Sequence, residues 1–110
     1  MVYRFGAPLY FANASLFEEE VEKLVTQATT PVTWLVLDVE AMIDIDTSGA
    51  EVLHQVLSGL AEREVTVAIS RANPDLLDLL KRYHLLEFIG NEHIYPTNRH
   101  ALAAFREEQM

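Results

Sequence analysis

Val32-Thr33-Trp34-Leu35-Val36-Leu37-Asp38 is an almost uninterrupted apolar run that stops on a carboxylate. A strand with one face in water alternates apolar and polar residues, whereas a strand covered on both faces does not. This run therefore predicts an internal strand, and Val65-Thr66-Val67-Ala68-Ile69 repeats the pattern. Between the two, Ala50, Leu53, Val56, Leu57 and Leu60 recur at the three- and four-residue spacing of a helix that lays one stripe on a sheet. Strand, helix and strand in that order make a parallel pair joined by a crossover.

Outward from this centre the same alternation continues. Phe17, Val21, Leu24, Val25 and Ala28 form an earlier helical stripe. Ser15 with Glu18 supplies a capping-box start for it, and Thr29-Thr30-Pro31 supplies a stop. Asn73-Pro74 opens a third helix through Leu76, Leu77, Leu80 and Tyr83, with asparagine as cap and proline in the first turn. His93 to Tyr95 reads as a short edge strand, and Pro96-Thr97 starts a last helix through Ala101, Leu102 and Phe105. At the N-terminus, Val2 to Phe5 and Leu9 to Phe11 flank Gly6-Ala7, which suits a two-residue hairpin. The expected order is β-β-α-β-α-β-α-β-α. It describes one α/β domain over residues 1–110, with a largely parallel sheet and an edge hairpin.

Composition narrows the function. The formal charge is −9, from 8 Lys plus Arg against 17 Asp plus Glu. That balance argues against binding nucleic acid or an anionic lipid surface, since both need positive charge to displace counterions. With no cysteine, thiolate metal sites and disulfides are excluded. No apolar run approaches the about 20 residues needed to span a bilayer. The first residues lack the regions of a signal peptide, so the chain reads as soluble and intracellular. The four glycines, Gly6, Gly49, Gly59 and Gly90, make neither a P-loop nor a dinucleotide turn. His54, His84, His93 and His100 have no metal-ligand spacing, and no nucleophile–base pattern stands out. No enzyme is expected.

The stretch with chemical potential is Asp44-Ile45-Asp46-Thr47-Ser48-Gly49, where a helix is expected to begin. Free backbone N–H groups and the positive dipole end favour an anion there. A phosphoryl group on Ser48 or Thr47 would add about −1.5 to −2 charges to a rim holding Asp44, Asp46 and Glu51. The alternative is purely structural. Ser48 with Glu51 is a capping box, and Asp46 is an equally good cap. Asp38 and Asp44 could instead form a phosphoacceptor or cation site at a strand end. That arrangement needs further acids after the first strand and a lysine near a later one, and Lys23 and Lys81 lie on helix faces. Tyr3, Phe5, Tyr10 and Phe11 are expected to cover one side of the sheet, with a docking surface as the other reading.

Two segments carry a family resemblance. Arg4-Phe5-Gly6-Ala7-Pro8-Leu9-Tyr10-Phe11-Ala12-Asn13-Ala14 resembles the R-x-x-x-x-L-x-F-x-N-A opening of STAS domains in SulP (sulfate permease, SLC26-type) anion transporters. Asp44-Ile45-Asp46-Thr47-Ser48-Gly49, after Leu37-Asp38, is similar to the D-x-D-x-[ST]-G signature shared with bacterial anti-sigma factor antagonists. Ile94-Tyr95-Pro96-Thr97 fits the family's last strand and helix, so the likeness spans residues 2–106. The resemblance implies a SpoIIAA-like fold, a small mixed β-sheet with about four helices. It further implies a non-catalytic regulatory domain on the cytoplasmic side of the cell membrane, excised from the C-terminal end of a transporter. Its partners would be that transporter's transmembrane domain and other cytosolic regulators, and its cofactor none beyond weak GTP, GDP or ATP binding. In the antagonist branch the hydroxyl residue before the glycine is phosphorylated, and Ser48 matches it. A free-standing switch of that kind is the alternative reading, and a nucleotide-sensing module a third. Glu40, Asp44, Asp46 and Glu51 are expected to surround the helix mouth and repel sulfate within the about 8–10 Å that salt leaves unscreened. Asp38, Asp44, Asp46, Gly49 and Glu51 are the expected interaction rim.

Overall fold

The computed structural model describes residues 1–109. Four strands, β1 (Val2–Arg4), β2 (Trp34–Asp38), β3 (Thr66–Ser70) and β4 (Ile94–Tyr95), lie in the order β1-β2-β3-β4, every neighbouring pair parallel. Between them run α1 (Ala14–Thr26), α2 (Thr47–Glu62) and α3 (Pro74–Arg82), and α4 (Asn98–Gln109) follows β4. Same-handed crossovers between successive neighbours place all their helices on one face of a sheet. Accordingly Leu35, Leu37, Val67 and Ile69 point into the main core, together with Phe17, Leu53, Leu57, Leu76 and Leu80. Trp34, Val36 and Ala68, one position out of phase, face the other way and are covered by Ala101, Ala104 and Phe105 of α4. Both faces are thus covered, which is why the two internal strands read as unbroken apolar runs.

The sequence correctly places the internal strands, the four helices, the edge strand at Ile94–Tyr95 and the Asn73 cap, whose side chain accepts the Leu76 N–H at 2.8 Å. The opening hairpin does not form. β1 ends at Arg4, and Leu9 instead makes an isolated parallel bridge to Ile45. The Leu9 N–H donates to the Asp44 carbonyl at 3.0 Å, and the Asp46 N–H donates to the Leu9 carbonyl at 3.2 Å. Two physical causes are visible. β1 takes its ladder from β2, and the backbone groups of Pro8 and Tyr10 are satisfied by Asn13. The Asn13 side chain donates to the Pro8 carbonyl at 2.8 Å and accepts the Tyr10 N–H at 2.9 Å. Among the described residues every strand pair is parallel, so the sheet is parallel rather than mixed. α1 likewise begins at Ala14, one residue before the expected Ser15–Glu18 capping box.

Candidate functional site

The first turn of α2 is held by Asp46. Its Oδ1 accepts the Gly49 N–H at 2.7 Å and its Oδ2 accepts the Phe11 N–H at 3.0 Å. One carboxylate therefore caps α2 and pins the N-terminal segment against it. Those N–H groups, that of Gly49 first, hold the Asp46 carboxyl below the usual range for aspartate. The cap is Asp46 rather than Ser48, so the Ser48–Glu51 capping box is not used. Ser48 sits half-buried in the first turn, Thr47 beside it is exposed, and Glu51 is exposed one turn on. Gly49 is buried, and only glycine fits there, because a Cβ would lie 2.1 Å from the Leu9 carbonyl oxygen. Asp44 is exposed and accepts the Tyr10 hydroxyl at 2.8 Å, and this bond is the main cause that raises the Tyr10 pKa.

The opening residues divide. Tyr3 and Phe5 are buried against Phe17, with ring centroids 6.0 and 5.4 Å away. Tyr10 and Phe11 point outward, and Phe11 is 78% exposed, with Ile43 at 60% on the other side of the Leu9–Ile45 bridge. Only the first pair covers the sheet. The second pair crowns the mouth of α2.

Asp38 lies elsewhere. It ends β2, is 3% exposed, and belongs to a second polar cluster at the C-terminal edge of the sheet. Arg71 donates to it from Nε at 3.2 Å and from Nη2 at 2.7 Å, Asn98 donates at 3.1 Å, and the Glu40 N–H donates at 3.1 Å. Burial pushes the Asp38 carboxyl up, but the donors from Arg71, Asn98 and Glu40 outweigh it and hold the group below its ordinary value. Ser70 donates to the Asn98 side-chain oxygen, so Asn98 joins the two strand ends to the start of α4. Arg71 adopts a left-handed backbone, φ 60°, while its N–H reaches the Tyr95 carbonyl at 3.1 Å. Glu40 is drawn into this cluster by Arg71 at 3.0 Å and Arg4 at 3.4 Å. Ser70, Arg71 and Asn98 escaped the sequence reading. The available signal was the register that sets Asp38 opposite Ser70, because a carboxylate ending a buried strand needs donors from the neighbouring strand end. Among the described residues no group of three or more His, Asp or Glu side chains is placed to hold a metal ion.

Known proteins match this chain over nearly its whole length. A Mycobacterium tuberculosis protein named "Probable sulfate transporter" is 37% identical over 96% of this chain, which spans 19% of that protein's length. The solved STAS domain of a Vibrio cholerae SulP transporter is 25% identical, with a TM-score of 0.79 over 97% of this chain and 80% of that one. The murine Slc26a9 anion transporter shares the fold at 18% identity, with a TM-score of 0.83 over 96% of this chain and 17% of its own. Residues 1–101 match the STAS domain family, and the chain belongs to that family.

Proposed function

We propose that this domain is the cytosolic, non-catalytic regulatory and interaction domain of a SulP-type sulfate or other anion transporter, with the mouth of α2 as its contact surface. The observation that carries the reading is the exposure of Tyr10, Phe11 and Ile43, with the Tyr10 hydroxyl held by Asp44 and the Phe11 N–H held by Asp46. Large apolar side chains held in water on both sides of one bridge suit contact with another domain. The likeness to a sulfate transporter across 96% of the chain makes the transmembrane domain of the same polypeptide the first partner, with other cytosolic regulators after it. Among the described residues no helix is long and apolar enough to cross a membrane, so transport itself is assigned to that other part. No cofactor is assigned beyond the weak GTP, GDP or ATP binding of the resemblance.

Ser48 is the regulatory position in this reading, with Thr47 as the neighbouring hydroxyl. Because Asp46 supplies the cap, the Ser48 hydroxyl is not committed to starting the helix. A phosphoryl group there would stand at the positive end of the α2 dipole and change the charge of the rim formed by Asp44, Asp46 and Glu51. Ser48→Glu is expected to alter partner binding with the fold intact.

The test is an immunoblot of membrane and soluble fractions of the native source with an antibody to this domain. A band much larger than 12.5 kDa in the membrane fraction is the expected result. A soluble band at the chain's own mass would overturn the transporter reading in favour of a free switch governed at Ser48.

A further inference from the structure

A second surface lies along the length of α1 and α2, away from the mouth of α2 and independent of the function proposed there. The two helices enclose a groove of about 320 Å³ floored by Val21, Val25, Val56 and Leu60. Glu18, Glu19 and Glu22 wall it on the α1 side. Arg63 is the lone cation among its lining residues and is already engaged, donating to Glu22 at 2.8 Å. An apolar floor beneath an acidic wall of three carboxylates, of which Arg63 pairs with one, is complementary to a partner with the opposite pattern.

Gly59 supplies an independent observation. It lies within α2, where glycine is disfavoured relative to alanine because it loses more conformational freedom. Gly49 in the same helix is demanded by the Leu9 carbonyl, but a Cβ on Gly59 would meet nothing within 4 Å. Folding therefore does not require glycine at this place. Its effect is to leave the groove open, since Gly59 is one of the residues lining it.

We propose that the α1–α2 groove docks a basic amphipathic helix of a protein partner. An apolar side chain of that helix rests over Gly59, and its lysines or arginines run along the acidic wall. Glu18, Glu22 and Val25 follow one another at helical spacing along the face of α1 that lines the groove, so a helix laid alongside meets both acidic and apolar groups. A second copy of this chain is a poor occupant because each copy carries a formal charge of −9.

The probe is a synthetic amphipathic helix of about 18 residues, made of leucine and lysine, titrated into the isotopically labelled chain and followed by NMR and calorimetry. Saturable binding is expected, with shifts concentrated in residues 18–25 and 55–63 and affinity falling roughly tenfold or more between low and high salt. The matching leucine–glutamate peptide is expected not to bind. Gly59→Met fills the groove from a helix position with free space, so it is expected to keep or raise the melting temperature while weakening binding at least about tenfold. Any of four results would overturn the proposal: no binding, shifts centred on the mouth of α2, undiminished affinity in a folded Gly59→Met chain, or self-association through this face in sedimentation.

Discussion

Gly49 passes so close beneath Leu9 that a methyl group on its Cα would stand 2.1 Å from the Leu9 carbonyl oxygen. That oxygen is in turn bonded to the Asp46 N–H at 3.2 Å, so the contact is between two backbones and neither can yield cheaply. The N-terminal motif and the D-x-D-x-S-G motif, 35 positions apart at Phe11 and Asp46, are thus the two sides of one joint.

Gly49→Ala should open that joint. The methyl group would displace Leu9, which is fully buried, and with it the Phe11 N–H bond to Asp46. A loss of about 3 kcal/mol is expected, the upper range for overpacking against rigid surroundings. Urea unfolding followed by circular dichroism measures it. Gly59→Ala, with open space above it, should instead leave stability unchanged or improve it by up to about 1 kcal/mol.

The ion pair beneath α4 gives a second prediction. Asp38→Ala leaves the donors of Arg71, Asn98 and Glu40 without their shared acceptor. The expected cost is about 3 kcal/mol, the low end for a broken buried pair, because the Arg71 side chain is 33% exposed and water can partly replace the carboxylate. Since Asn98 begins α4, hydrogen exchange should speed up more in residues 98–109 than in α2. Equal protection in both helices would show that the cluster does not anchor α4.

Acid should weaken the fold through these same groups. Asp46 and Asp38 both have folded pKa values below the usual one. Their contribution is therefore complete above the unfolded aspartate value of about 3.9 and is lost as the pH falls through the folded values. Asp46→Asn keeps a capping oxygen but cannot titrate. Urea midpoints measured from neutral pH downward should fall less steeply for Asp46→Asn than for the wild type, and parallel profiles would count against this assignment.

How far the fold could be read from the sequence depended on what each signal measures. Trp34–Asp38 and Thr66–Ser70 were legible because coverage on both faces leaves a continuous apolar imprint. Residues 2–11 misled because Gly6-Ala7 between two apolar segments satisfies the local rule for a hairpin, while the observed partners of those segments, β2 and Ile45, lie 34 and 36 positions away. The helix mouth was legible as a motif, yet either Ser48 or Asp46 could have capped it, and only geometry selects Asp46. The Asp38 cluster was the least legible. Its members come from three strand or helix ends, and no periodicity links Asp38, Arg71 and Asn98.

Ser48 separates a structural serine from a regulatory one. Had it been the cap of α2, Ser48→Ala would have cost about 0.5–2 kcal/mol. With Asp46 accepting the Gly49 N–H, Ser48→Ala should change stability by no more than about 0.5 kcal/mol, the usual range for a substitution that removes no cap or buried contact. Asp46→Ala, by contrast, should lower the urea midpoint clearly, because it releases both Gly49 and Phe11. Ser48→Glu adds an anion at the positive end of α2 and should therefore be tolerated. Thermal melts of the three variants decide the matter. If Ser48→Ala falls as far as Asp46→Ala, the hydroxyl is part of the cap, and a phosphoryl group there would loosen the helix start instead of only recharging its rim.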